Sequence, residues 1–316
     1  MKVTDFPRGI AVITTPEGEG VAERVAKAFN NAYFLGHYSR ESLRKALECY
    51  DALVLVMSLG GAFRILCESL KEKGEGPAVV VVDPLGKYAI PVVNSHWGAN
   101  DLAEELGERL GLAPVITTVA ERKGLRPLED LARLTYSELR PKELIVKYYS
   151  RILKGEKVCL EGIEPPEGFD YLVKGSNCEL KVTFGKCEEG GLCLKPYDLY
   201  VGIGAKREAS ELTERVLSLM NELMVPKERV RAIGSVRESV REVAEKLGVS
   251  FRLFAFDELR DFRNDCMSPP SRTLDSLGLP GVAEAIALAM AGPNGKLLVR
   301  KVREGDFTLA IAGVAS

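Results

Sequence analysis

The chain has 316 residues, 43 Lys+Arg against 45 Asp+Glu and a formal net charge of −2. That length predicts two or three domains with a sizeable core, and 46% hydrophobic with 28% charged residues excludes wholesale disorder. Near-neutral charge gives no electrostatic drive toward nucleic acid or a membrane surface, and no apolar stretch approaches the roughly 18 residues of a membrane span. Met1 to Phe6 lacks the basic-then-apolar layout of a signal peptide, so a cytoplasmic protein is expected.

The first 120 residues alternate strand-like and helix-like signals. Gly9 to Thr14 is an apolar run, and Val21, Val25, Ala28 and Phe29 then recur at helical spacing. Ala52 to Met57 reads as a strand buried on both faces, and Ser58-Leu59-Gly60-Gly61 opens a helix from about Ala62 to Lys73. Ala78 to Val82 is another buried strand. The turn Asp83-Pro84-Leu85-Gly86 ends it, and Tyr88 to Val93 is its expected antiparallel partner. Ser95 to Asn100 feeds a helix to about Leu110, and Pro114 to Thr118 reads as a further strand.

Residues 126–196 differ. Leu128 to Leu153 is helical in period with a break at Pro141, followed by β-like pieces at 171–174, 180–184 and 192–194. The α/β rhythm resumes with strands at 199–203, 230–233 and 251–256 and helices at 210–223, 236–247 and 282–291. Strands at 297–302 and 308–314 close the chain. The predicted fold class is α/β: two three-layer α/β/α domains, 1–125 and 197–316, joined by a small α+β middle domain, 126–196.

Seven cysteines, an odd number without an export signal, argue against a secreted-type disulfide framework. Cys159, Cys178, Cys187 and Cys193 lack the short spacing of structural zinc sites and read as small buried apolar residues. A bridge among them would suit a hyperthermophile, as would the complete absence of glutamine.

Three clusters bear chemistry. Asn94-Ser95-His96-Trp97-Gly98-Ala99-Asn100-Asp101 puts one of two histidines between a strand end and a helix start. Helix-start N–H groups there favour an anion, and histidine titrates near neutrality. His96 is equally consistent with a hydrogen-bonded structural residue beside a capping Asn100 or Asp101. Ser58 to Arg64 likewise follows a strand, although its glycines also suit close helix–sheet packing. Gly202-Ile203-Gly204-Ala205-Lys206-Arg207 combines two glycines that let a ligand approach with two cations for carboxylates, and is equally consistent with a solvated basic helix start. Glu284 lies in an otherwise apolar helix, where it is either solvent-facing or buried and paired.

In this order the blocks resemble the cobalt-precorrin-5A hydrolases (CbiG) of anaerobic cobalamin biosynthesis. The N-terminal resemblance rests on Gly60 to Ile65, Pro77 to Asp83, Gly86 to Pro91, His96 to Ala103 and Pro114 to Thr118. The C-terminal resemblance rests on Val201 to Arg207, Ser268-Pro269, Val282 to Ala285, Leu298 to Lys301 and Thr308 to Ala312. Two departures stand out: Ala205 and Glu208 occupy positions where that family usually carries cysteine and glycine.

The resemblance implies a cobalt-tetrapyrrole substrate whose δ-lactone is opened with release of acetaldehyde. It further implies no cofactor held by the protein itself, cobalt arriving within the substrate, and handover between neighbouring pathway enzymes. His96 is then expected as general base, with Asn100, Thr117 and Thr118 completing the catalytic group. Gly60, Gly61, Arg64, Gly98, Gly202, Gly204, Lys206, Arg207 and Glu284 are expected to bind substrate. A non-catalytic tetrapyrrole carrier is the alternative.

Overall fold

The computed structural model describes residues 6–70, 76–95, 98–117, 125–206, 211–270, 272–276 and 278–315. The chain forms two compact units, Met1–Val54 with Asp198–Val314, and Leu55–Tyr197 with Ala315–Ser316. His96, Trp97, Thr118 and Arg207 lie outside the described residues.

The N-terminal half opens with β1 (Ile10–Thr14), α1 (Glu19–Ala28), β2 (Ala32–His37), α2 (Arg40–Cys49) and β3 (Ala52–Val56). Next come α3 (Leu59–Ser69), β4 (Ala78–Val82), β5 (Tyr88–Val93), α4 (Ala99–Leu110) and β6 (Ala113–Pro114). These six strands form one sheet in the order β2-β1-β3-β4-β5-β6. Every residue of β1, β3 and β4 is buried, as continuous apolar runs require in a sheet covered on both faces. Tyr88 to Val93 pairs antiparallel with β4, as expected. The strand expected over Pro114 to Thr118 shortens to the two residues of β6, which pair parallel with Tyr88 and Ala89.

Leu128 to Leu153 is interrupted at Pro141 as expected, but a strand also replaces the helical turns before it. It divides into α5 (Leu128–Leu134), β7 (Ser137–Arg140) and α6 (Lys142–Ile152). The chain turns at Tyr136, which has φ 46°, and Ser137 to Arg140 then pair antiparallel with Pro196 to Cys193. Strand pairing overrides helical propensity here because the partner is some 55 residues away and invisible to local periodicity. Strands β8 (Val158–Glu161), β9 (Leu172–Lys174) and β10 (Leu180–Phe184) complete this segment. Its apolar side chains, including Leu128, Leu131, Tyr148, Val158, Tyr171, Val182 and Leu192, form a core of their own.

The long strand β11 (Leu192–Ala205) belongs to two pairings in succession. Leu192 to Leu194 run parallel to β10, and Leu199 to Ile203 run parallel to β12 (Val230–Ser235). The remaining elements are α7 (Leu212–Glu222), α8 (Arg241–Leu247), β13 (Ser250–Leu253), α9 (Phe256–Arg260), α10 (Arg272–Ser276) and α11 (Ala283–Ala291), ending in the antiparallel pair β14 (Lys296–Glu304) and β15 (Phe307–Ala315). The strand expected over Phe251 to Phe256 ends at Leu253, and Phe256 begins α9 instead. The fold is α/β with two parallel-rich sheets and interspersed helices, the predicted class.

The cysteine expectation is overturned. Cys49–Cys266, Cys159–Cys178 and Cys187–Cys193 are disulfides, leaving Cys67 as the free, exposed thiol. The four middle cysteines are therefore bridges, not isolated apolar residues. Spacing missed them because strand pairing brings the Cα atoms within 5.5 Å and 5.2 Å. Cys49–Cys266 closes a 217-residue separation, tying the end of α2 to the loop before α10.

Candidate functional site

Two edges of the N-terminal sheet carry the residues expected to act. At the first, α3 begins directly beyond β3. Its N-cap Ser58 accepts a hydrogen bond from Gly61 N at 3.2 Å. Met57 N donates to Val82 O at 3.0 Å, so the ends of β3 and β4 lie side by side. With a helix crossing between neighbouring strands, β3 and β4 run parallel and share a carboxyl edge. β3 is also the first strand beyond the point where the strand order reverses. Open α/β sheets bind ligands outside carboxyl ends at such points.

The turn after β4 meets the same edge. Asp83 accepts from Leu85 N, Lys87 N and Tyr88 N at 3.1, 2.7 and 2.6 Å. Burial alone would raise its carboxyl, but these amide bonds hold it below the usual carboxylate range. Its charge is thus spent inside the turn. Gly60 has helical φ, and a Cβ added there would meet nothing within 4 Å. Packing therefore does not demand this glycine, although helix propensity disfavours it by about 1 kcal/mol relative to alanine. Gly61 is closer to need, with Ser58 Oγ 3.1 Å from an added Cβ. Arg64 is exposed, its Nε donating to Gly60 O.

The second edge carries Asn94 and Gly98, which flank the residues expected to act there. Because β5 is antiparallel to β4, its carboxyl end sits at the amino end of β4. Asn94 Nδ2 confirms this by donating to Gly76 O and Pro77 O, just before β4. Asn94 has φ 53° and Gly98 φ 100°, a backbone reversal that glycine adopts readily at the start of α4. Asn100 faces the interior at 2% exposure, whereas Thr117 is exposed three residues beyond β6.

The structure therefore does not bring Gly60, Gly61 and Arg64 together with the loop of Gly98 and Asn100. The five residues of β4, roughly 16 Å of extended chain, separate the two edges. The β4–β5 hairpin is what puts the two strand–helix junctions at opposite ends of β4.

In the C-terminal segment, Gly202 has a packing role. A Cβ there would lie 2.0 Å from Ala283 O and 2.7 Å from Ala287 N, so α11 rests directly on the backbone of β11. Gly204 is similarly crowded by Thr308 Oγ1 at 2.8 Å. Lys206 is exposed, and its N–H donates to Asp306 O.

Glu284 is buried, at 2% exposure, and its carboxylate is a hub. It accepts from Ser268 N and Ser268 Oγ, both at 2.7 Å, and from Lys301 N at 3.0 Å. Arg300, also 2% exposed, donates to Ser268 Oγ, Arg8 O and Cys49 O and stacks 4.0 Å over the Tyr50 ring. Burial pushes the Tyr50 hydroxyl up to about 12. The paired alternative for Glu284 thus holds, with partners supplied by the protein itself.

One unusual group carries no signal in the sequence. Glu129, in the first turn of α5, buries both carboxylate oxygens with no hydrogen-bond partner beyond its own backbone amide. Burial pushes it up to about 7, reinforced by neighbouring Asp130. Arg126 and Arg133 both pair with Asp130 instead.

Known proteins bear on these residues. The model described as "Cobalamin synthesis G N-terminal" matches residues 41–121, and "Cobalamin synthesis G C-terminus" matches residues 199–312. The "Cobalt-precorrin-5A hydrolase" of Priestia megaterium is 26% identical over 310 residues, 86% of this chain and 81% of that protein. The protein of the same name from Salmonella typhimurium is 26% identical over 357 residues, 98% of each chain. The crystal structure of a cobalamin biosynthesis protein G homolog from Sulfolobus solfataricus superimposes with a TM-score of 0.79 at 31% identity, covering 98% of this chain and 99% of that one. The chain belongs to the CbiG family of cobalamin-biosynthesis proteins.

Proposed function

We propose that this protein is a cobalt-precorrin-5A hydrolase. The observation that carries the reading is the match over 98% of each chain to a relative of that name. Water adds to the lactone carbonyl and the ring C–O bond breaks, leaving a carboxylate and an alkoxide. The alkoxide collapses to acetaldehyde as its carbon–carbon bond to the macrocycle breaks, and the electron pair passes into the macrocycle, where the substrate's own cobalt stabilises it.

His96 is the water-activating residue in this proposal, because histidine is the residue type whose ordinary pKa suits it to accept and return a proton near neutral pH. N–H groups at the start of α4 hold the oxyanion. The test is acetaldehyde release from cobalt-precorrin-5A by the purified protein, with His96→Ala beside it. Turnover lowered by about 100-fold or more in the variant supports His96 as base. Undiminished turnover removes it from the mechanism. Binding without release by the unaltered protein would instead support the carrier alternative.

A further inference from the structure

We propose that the carboxyl edge of β3 and β4 is a separate seat for a planar, apolar-faced polyanion of the tetrapyrrole class. This rests on the proposed function for the identity of the ligand, but not for the place. Four large apolar side chains stand exposed along this one edge. Leu59 and Phe63, at i and i+4 on α3, are 48% and 67% exposed. Leu85 and Tyr88, in and after the adjoining turn, are 75% and 50% exposed.

Two cations on the same edge stand without an acidic partner. Arg64 and Lys87 are both exposed, and among the described residues neither is paired with a carboxylate. By contrast Arg44, Arg109, Arg151, Arg215 and Arg231 each hold an acidic partner. The acid at this edge, Asp83, already serves three amides. Gly60 leaves open space over the helix start.

An occupant must therefore offer a flat apolar surface to the four side chains and carboxylates to the two cations. The roughly 16 Å of β4 keeps a macrocycle seated here away from the start of α4, where the proposed oxyanion donors lie. The seat is thus a holding site, not the reacting one.

The experiment uses cobyrinic acid, a cobalt corrin with free carboxylates, titrated calorimetrically into the full-length protein. Phe63→Ser combined with Leu85→Ser should weaken binding at least about tenfold, and Arg64→Glu similarly. Met224→Ser, which removes an exposed apolar side chain elsewhere, should leave it unchanged. Acetaldehyde release at saturating substrate should survive in the Phe63/Leu85 variant.

Unchanged affinity in that variant, or no binding by the unaltered protein, would overturn the seat. Loss of turnover at saturation would overturn its separateness from the reacting site. A dimer that dissociates in the variant would assign the patch to self-association and overturn the proposal too. Should the protein release no acetaldehyde while the binding pattern holds, the proposed activity falls and the seat stands.

Discussion

Replacing Glu129 by glutamine should stabilise the protein at alkaline pH and leave it nearly unchanged in acid. The folded carboxyl is pushed up to about 7 from 4.5 for the unperturbed group, because folding removes it from water and the pull of Arg133 is offset by the neighbouring Asp130 charge. A raised carboxyl favours the folded state fully only below the unfolded value, and this contribution is lost as pH rises through the folded one. Above both values the unpaired charge costs about 3 kcal/mol, since each tenfold change in the ionisation equilibrium is worth roughly 1.4 kcal/mol. Glutamine keeps the shape and removes the charge. The difference in stability between the two proteins should therefore grow from a few tenths of a kcal/mol near pH 4 to about 3 kcal/mol near pH 8. Thermal unfolding at a series of pH values reads this directly, with a midpoint gain of several degrees expected at the alkaline end. Parallel pH profiles for the two proteins would refute the reasoning, because they would mean that the carboxylate finds a partner or water in the folded state.

Other expectations follow from named contacts. Arg300→Met strips donors from Arg8 O, Cys49 O and Ser268 Oγ and removes the buried cation that shares Ser268 with the Glu284 carboxylate, so a loss of about 3–5 kcal/mol is expected in urea unfolding. A loss under about 1 kcal/mol would show that the network contributes little. Gly202→Ala drives a methyl group into the backbone of α11 and should cost about 3 kcal/mol or more, whereas Gly60→Ala should be neutral or stabilising by up to about 1 kcal/mol. Equal effects at the two glycines would contradict the distinction between a packing glycine and an open one.

Much of the fold was legible because it is locally encoded. The runs Ala52 to Val56 and Ala78 to Val82 can be buried only as central strands, and Asp83 to Gly86 can only turn. β2 and α2 were missed because Ala32 to His37 is half-buried, with no clean period, and Arg40 to Cys49 is a mostly polar helix. β7 was hidden inside a helical pattern, since its reason to be extended is a partner strand distant in sequence. The candidate residues were legible as types but not as an arrangement. Arg64 and Gly98 both sit where a strand meets a helix, yet on opposite edges.

The sequence alone determined the alternation of strands and helices, the absence of a charge drive toward nucleic acid, and the ordered motifs of the CbiG family. Each is carried by neighbouring residues or simple sums, so no long-range contact is needed to see it. Only the tertiary structure decided which strand ends share an edge, which cysteines meet and which carboxylates are buried. Strand direction and burial depend on partners tens to hundreds of residues away. That is why Glu284 found Ser268 and Lys301 while Glu129, equally ordinary in sequence, was left with an unanswered charge.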